Sequence, residues 1–283
     1  MKLARSGFTV VELLMVLAII SLLVGLLLPA MALVRKTARE TKQKAQFATI
    51  ELTLATFKND YGDYPPSAGW DYTTKQVLDY CGAQKLAEAL VGWDLLGFHP
   101  KSDWLSTGRN RAGAFIYDAN NALLLDQRKG PYLELATANV FRLGNISPVR
   151  PGLFRDTRPL APDTFVLCDV FTYRKVLMPN GKTISAGSPV LYYRANTSQK
   201  VLEQIYEVRD NDALVVVKQQ NDIPQRAHPL ADPASSFRRF YDYIRDPKVT
   251  AKPMPYRSDT YILISAGADG IYGTDDDIRN FGD

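Results

Sequence analysis

The chain has 283 residues, of which 46% are hydrophobic and 23% charged, a composition that excludes wholesale disorder and allows a sizeable buried core. The net charge of +4 is too small for a dedicated nucleic-acid-binding protein. Two cysteines (Cys81, Cys168) and two histidines (His99, His228) exclude a disulfide framework and zinc sites rich in cysteine or histidine. Any metal site must therefore use oxygen ligands.

A basic leader precedes a long apolar segment at the N-terminus. Residues 1–7 carry Lys2 and Arg5, and residues 8–34 are almost wholly apolar with one charge, Glu12. A helix over residues 8–34 would be roughly 40 Å long, more than a hydrocarbon core of about 30 Å requires. The sequence therefore predicts one membrane-spanning helix over 8–34.

Three interpretations of this segment compete. A cleaved secretory signal peptide agrees with the basic start and with Ala30-Met31-Ala32, but its apolar region usually has only about 7 to 15 residues. A plain signal anchor agrees with the length but gives Glu12 no purpose, although a carboxylate at mid-bilayer costs about 2.5 to 3.5 kcal/mol. The third interpretation follows from the residues around Glu12.

The segment Gly7-Phe8-Thr9-Val10-Val11-Glu12-Leu13-Leu14 resembles the class III signal of type IV prepilins and type II secretion pseudopilins. The resemblance implies that a prepilin peptidase cleaves between Gly7 and Phe8 and that Phe8 becomes N-methylated. It also implies that Glu12 neutralises the new ammonium group of a neighbouring subunit in a filament. Pro29 matches a proline of the family that kinks the helix, so we expect a bend or local melting there.

The charges flanking the segment favour a different orientation from the motif. More cations follow the segment than precede it; those that follow are Arg35, Lys36, Arg39, Lys42 and Lys44. A positive-inside count alone would place the C-terminal side in the cytoplasm. The more specific prepilin motif implies a single-pass protein of the bacterial inner membrane with its C-terminal domain in the periplasm.

Past the span, the helix is predicted to continue as an amphipathic segment over 35–60. Apolar residues recur there at three- and four-residue spacing, namely Phe47, Ile50, Leu54 and Phe57. We expect this stripe to pack on the chain's own domain, with filament contacts as the alternative. Turn formers and two prolines in 59–66 end the helix near residue 60. Residues 61–283 then form a globular domain.

Landmarks in 61–283 resemble the major pseudopilin of type II secretion. After an Asn and Tyr-Pro at the end of the helix, they are Gly130-Pro131-Tyr132-Leu133, Gly187-Ser188-Pro189-Val190-Leu191-Tyr192-Tyr193-Arg194 and a strand over 261–265 that enters an acidic loop. The resemblance implies an α+β, pilin-like fold in which the long N-terminal helix packs on an antiparallel sheet. The spacing between landmarks is longer than in the family, which predicts large inserts that fold onto this core.

Local patterns predict the elements of the inserts. Strands are expected over 164–167 and 213–218, with turns at Asn180-Gly181 and at 210–212. Segment 235–246 is predicted to be a helix because Pro247 stops it and four of its residues lie on one face, namely Phe237, Phe240, Tyr241 and Ile244.

The acidic loop at 266–278 carries four carboxylates in nine residues, with glycines that let it turn back sharply. Such a concentration of like charge favours a cation, and calcium accepts irregular sets of carboxylate and carbonyl oxygens. The loop resembles the calcium loop of the major pseudopilin, which implies Asp269, Asp275 and Asp277 as ligands and the Ala266 carbonyl as a weaker one. Asp276 is expected to point outward. The alternative is a solvated acidic turn without metal.

Other chemistry has little support in the sequence. No nucleophile elbow, phosphate loop or dinucleotide fingerprint occurs, so we expect no enzyme. Basic and aromatic residues interleave over 237–257, but a core face with a solvated side explains them better than nucleic-acid binding does. Cys81 and Cys168 could form one disulfide or stay as thiols, and the sequence leaves both open.

The resemblance therefore implies a pseudopilin-like subunit that assembles into a periplasmic pseudopilus for type II protein secretion. Its expected partners are the prepilin peptidase, identical or homologous pseudopilin subunits, the inner-membrane secretion platform and membrane lipid. The alternatives are a type IV pilin or minor pilin for adhesion, motility or DNA uptake, and a stand-alone anchored binding domain. Filaments at the cell surface would favour the pilin.

Overall fold

A computed structural model describes residues 10–71, 73–146, 160–172, 174–178, 181–215, 228–231 and 237–282. The chain divides into two compact units, Met1–Lys42 and Gln43–Asp283. The helices of the described residues are α1 (Val10–Tyr61), α2 (Gly82–Val91), α3 (Ala122–Asp126), α4 (Leu143–Ile146), α5 (Leu202–Ile205), α6 (Asp212–Val215) and α7 (Arg238–Ile244). The strands are β1 (Trp70–Asp71), β2 (Gln76–Val77), β3 (Val140–Arg142), β4 (Phe165–Leu167), β5 (Arg174–Leu177), β6 (Thr183–Ala186), β7 (Leu191–Arg194), β8 (Tyr261–Ser265) and β9 (Ile278–Arg279). Short 3-10 helices cover Val208–Asn211 and Pro229–Ala231.

The first unit contains the apolar part of α1 and the cations that follow it. Every side chain from Val10 to Val34 is exposed, and Glu12 is the one charged residue among them. By length and composition this helix could cross a membrane, as the sequence predicts. The helix continues without interruption through Pro29, so the expectation of local melting there is wrong, whereas the bend stays a prediction.

In the second unit α1 is amphipathic and ends where the sequence predicts. Phe47, Ile50, Leu54 and Phe57 are all buried. The helix ends at Tyr61 because Gly62 adopts a φ of +86° and its N–H donates to the Lys58 carbonyl at 2.7 Å. The buried stripe confirms that this part of α1 packs on its own domain.

A small antiparallel sheet lies at the centre of the second unit. Within the described residues its order is β7-β8-β9, with Tyr192 opposite Leu263. The stripe of α1 belongs to one apolar cluster with α2 and with Tyr192 and Leu263. The coarse prediction of an α+β fold with a long apolar helix and antiparallel sheets is therefore confirmed.

The other face of this sheet carries the inserts. Successive strand residues point to opposite faces, and Tyr193, Ile262 and Ile264 share a second cluster with residues of α5, α6 and α7. Both faces are covered, which is why the first four residues of β8 are apolar or aromatic and all five of its positions, including Ser265, are buried. The described helices of the inserts thus fold onto the core, as predicted.

The predicted elements of the inserts are partly correct. β4 confirms the strand at 164–167, and α7 confirms a helix within 235–246, of which 235–236 lie outside the described residues. Gly181, with a φ of +76°, lies in the connection between β5 and β6, whereas Asn180 is not described.

The strand predicted over 213–218 is wrong for its described part, because α6 occupies Asp212–Val215. The turn expected at 210–212 is instead the end of a 3-10 helix that leads into α6. A short apolar run fits a strand or a helical turn equally well. Here one helical turn buries both Leu214 and Val215 in the second cluster.

Candidate functional site

The predicted processing site lies outside the described residues, since these begin at Val10. Gly7 and Phe8 are therefore not described, and their cleavage and methylation stay predictions. Glu12 lies exposed in the first turn of α1, where the helix dipole favours an acidic side chain.

The acidic loop between β8 and β9 is tightly folded around its glycines. Gly267 has a φ of +60°, and a Cβ there would lie 2.1 Å from the Asp276 carbonyl oxygen. Gly273 has a φ of +90°, and a Cβ there would lie 2.6 Å from the Leu230 backbone nitrogen. These contacts require glycine, and they confirm that the loop turns back sharply.

Asp277 is the most perturbed carboxylate of the loop. Its Oδ2 accepts hydrogen bonds from the Tyr243 hydroxyl at 2.6 Å and from the Gly273 N–H at 2.7 Å. Its Oδ1 is buried without a hydrogen-bond partner. Burial raises the pKa of Asp277 to about 7. One oxygen of this carboxylate is thus available to a cation.

Asp276 does not point outward, so that expectation is wrong. Its Oδ2 accepts from the Asp269 N–H at 2.8 Å, and its Oδ1 accepts from the Thr274 hydroxyl at 2.6 Å. The close approach at Gly267 brings the two arms of the loop together, and the Asp269 N–H is satisfied across them.

The other predicted ligands do not converge with Asp277. Asp269 and Asp275 are exposed, and Asp269 Oδ1 accepts from the Ile271 N–H at 2.8 Å. The Ala266 carbonyl accepts from the Gly270 N–H at 3.1 Å. Among the described residues, no group of three or more acidic, histidine or cysteine side chains is arranged to hold a metal.

The donor set nevertheless fits calcium in its chemistry. The loop offers only oxygen ligands, which calcium prefers, and the orphaned Oδ1 of Asp277 lacks the donor or cation that a buried carboxylate oxygen needs. Asp277 is the ligand that the geometry favours because of its orphaned oxygen, and Asp269 and Asp275 are exposed.

Sequence reasoning missed Tyr243 as a partner of Asp277. The two residues are 34 positions apart, and Tyr243 comes from α7 in an insert. No pattern of the acidic loop itself points to it. The orientation of this loop carboxylate therefore depends on an element that is distant in the sequence.

Two further carboxylates are buried, Glu88 within α2 and Asp210 within the 3-10 helix Val208–Asn211. Glu88 accepts from the hydroxyls of Tyr80, Ser102 and Tyr117 at 2.5 to 2.8 Å, and burial raises its pKa. Asp210 accepts from the Ser67 hydroxyl at 2.5 Å, and burial raises its pKa to about 6. Both are enclosed and hydrogen-bonded, which suits a structural role.

The basic and aromatic residues of 237–257 do not form an open stacking surface. Phe240 is buried in the core, and Tyr243 bonds the acidic loop. Arg257 pairs with Glu51 at 2.7 Å. The core-face interpretation therefore describes these rings correctly.

Cys81 and Cys168 are both buried and are not joined in a disulfide. Burial raises the pKa of Cys81 to about 11, which keeps it as a thiol at neutral pH.

Comparison of the chain with protein-family models, with curated proteins and with solved structures finds no match.

Proposed function

We propose that this protein is a membrane-anchored, pseudopilin-like subunit that is processed by a prepilin peptidase and assembles into a periplasmic pseudopilus for type II protein secretion. The observation that carries the proposal is the exposed apolar part of α1, which has one acidic residue, Glu12, in its first turn. The same helix continues into a buried stripe of the second unit. An anchor that is also a structural helix of its domain suits a subunit that polymerises through that helix.

In this proposal, cleavage after Gly7 exposes an ammonium group at Phe8. Assembly places that ammonium beside the Glu12 carboxylate of a neighbouring subunit, so that each charge neutralises the other among apolar helices. Close packing of the apolar helices stabilises the filament as they leave the lipid. The inner-membrane secretion platform and homologous subunits are the partners, and assembly rather than catalysis is the function.

Calcium belongs to the same proposal. Asp277, Asp269 and Asp275 would hold the ion, with the Ala266 carbonyl as a weaker ligand. Bound calcium would supply positive charge that offsets the four clustered carboxylates. The resident side chains hold the loop in place: Tyr243 and Gly273 orient Asp277, and Asp276 ties the two arms together.

The test is the mass of the mature protein. The full chain is produced together with a prepilin peptidase, extracted from membranes and analysed by mass spectrometry, with Gly7→Leu as the processing-deficient control. The proposal predicts a terminus at methylated Phe8 in the wild type and an intact leader in the control. An intact Met1 in the wild type would indicate a plain anchor, and a start at Leu33 would indicate a cleaved signal peptide; either result refutes the proposal.

A further inference from the structure

The cations that follow the apolar segment of α1 are exposed. Arg35, Lys36, Arg39 and Lys42 all lie within the first unit. The acidic residue among them, Glu40, lies 3.8 Å from Lys36. Within the described residues, Arg35, Arg39 and Lys42 make no ion pair.

These three cations share one face of the helix. Their spacing of four and three residues places them one above the other along α1. Arg35 directly follows the last apolar residue, and at about 1.5 Å per residue Arg39 lies roughly 6 Å and Lys42 roughly 10 Å farther along. The headgroup layer on each side of a bilayer is about 5 to 7 Å thick. The stripe therefore starts in this layer and reaches just past it.

We propose that Arg35, Arg39 and Lys42 form a binding site for the phosphate of anionic phospholipid headgroups. The inference rests on the proposed membrane span. Arginine suits this ligand because its guanidinium donates two parallel hydrogen bonds to phosphate oxygens. A membrane is favoured over an acidic protein partner because the stripe begins at the residue where the apolar segment ends.

The site also gives these cations a purpose on the domain side of the span. A positive-inside count would assign these cations to the cytoplasmic side of the membrane. Headgroup binding requires only an anionic leaflet, so it does not require the cations to be on the cytoplasmic side. Because the attraction weakens within a Debye length of about 10 Å, the contribution decreases from Arg35 to Arg39 to Lys42.

The test measures lipid selectivity with the full chain in phosphatidylcholine vesicles at 0.1 M salt. Electron paramagnetic resonance gives the association of spin-labelled phosphatidylglycerol relative to spin-labelled phosphatidylcholine. We expect about fivefold selectivity for the anionic lipid. This is the preference that results when one cation near the surface attracts one anionic headgroup. At 1 M salt the ratio should approach one. Single glutamine variants should reduce it in the order Arg35, Arg39, Lys42.

Charge-matched variants test whether the lipid selectivity depends on these three cations or only on the overall positive charge of the chain. The triple variant R35Q/R39Q/K42Q should lose the selectivity, and a control with three exposed cations of the second unit replaced, R239Q/K248Q/K252Q, should keep it. A wild-type ratio near one, or a triple variant that retains the ratio, overturns the inference. Inorganic phosphate at constant ionic strength should lower the ratio by competing for the same cations; a wild-type chain that binds inorganic phosphate but shows no lipid selectivity would identify the free ion as the ligand and overturn the inference.

Flotation of the same vesicles distinguishes this inference from the proposed function. A chain that floats but shows no selectivity refutes the headgroup site alone. A chain that does not float refutes the membrane span and the headgroup site together.

Discussion

Replacing Leu54 with alanine tests whether the second part of α1 is a structural helix of its own domain. Leu54 is 0% exposed and belongs to the cluster that contains Leu86 and Leu90 of α2 and Tyr192 of β7. Leu-to-Ala changes at such sites cost about 2 to 5 kcal/mol, through lost transfer free energy and the cavity that remains. Helix and sheet enclose this site, so it cannot collapse easily, and we expect about 3 kcal/mol.

The matched control lies two residues away on the same helix. Leu52 is 70% exposed, so Leu52→Ala should change the free energy of unfolding by less than about 0.5 kcal/mol. Thermal unfolding of the full chain in detergent should show a midpoint lower by about 6 to 12 °C for Leu54→Ala and nearly unchanged for Leu52→Ala. Equal effects of the two changes would refute the packing of this stripe on its own domain.

Three further predictions concern the buried acids and the loop. Because the pKa of Asp210 is about 6 when folded and about 3.9 when unfolded, its contribution to stability is present below about pH 4 and lost as the pH rises through 6, by roughly 3 kcal/mol. Burial also raises the pKa of Asp277 and Glu88, which lose stability in the same direction, so thermal melts against pH should show a loss that is smaller by about 3 kcal/mol in Asp210→Asn than in the wild type; equal losses would contradict the raised pKa of Asp210. Gly267→Ala should lower the free energy of unfolding by about 3 kcal/mol. The control Gly113→Ala should lower it by only about 1 kcal/mol, because Gly113 also has a positive φ, of +82°, but no atom lies close to its Cβ position. Equal losses in urea titrations would contradict the close approach at Gly267. Calcium at a hundredfold excess over its Kd should raise the melting temperature by about 5 to 10 °C, and a chelator or Asp277→Asn should remove that rise; no heat of binding and no shift would eliminate the calcium site.

The sequence predicts best those features that depend on local chemistry. The end of α1 near residue 60 follows from the turn formers and prolines of 59–66, and the strand within 164–167 follows from its local pattern. The strand prediction over 213–218 is wrong for its described part because a single turn of apolar residues is too short to show the periodicity that distinguishes a helix from a strand.

The structure of the acidic loop could be predicted only in part from its own sequence. Its composition predicts clustered carboxylates and a sharp turn, and both are present. The orientation of each carboxylate depends on groups elsewhere in the loop and chain. Asp276 points inward because the loop arms meet at Gly267, and Asp277 is oriented by Tyr243 of α7.

The arrangement of the inserts likewise depends on the tertiary structure. Their apolar residues cover the face of the sheet opposite α1, and this explains why β8 is buried on both sides. A strand with apolar residues on both faces indicates two covered faces but does not identify the covering elements. For β8 these are α5, α6 and α7.

The role of Glu12 is the central claim, and its replacement by alanine tests it most directly. The full chain and the Glu12→Ala variant are produced with the prepilin peptidase, and assembly is measured by cross-linking of processed subunits in membranes. Glu40→Ala serves as the control on the same helix. We predict that Glu12→Ala subunits are processed but lose the cross-linked ladder, whereas Glu40→Ala subunits keep it. Processed Glu12→Ala subunits that assemble as well as the wild type would contradict the account.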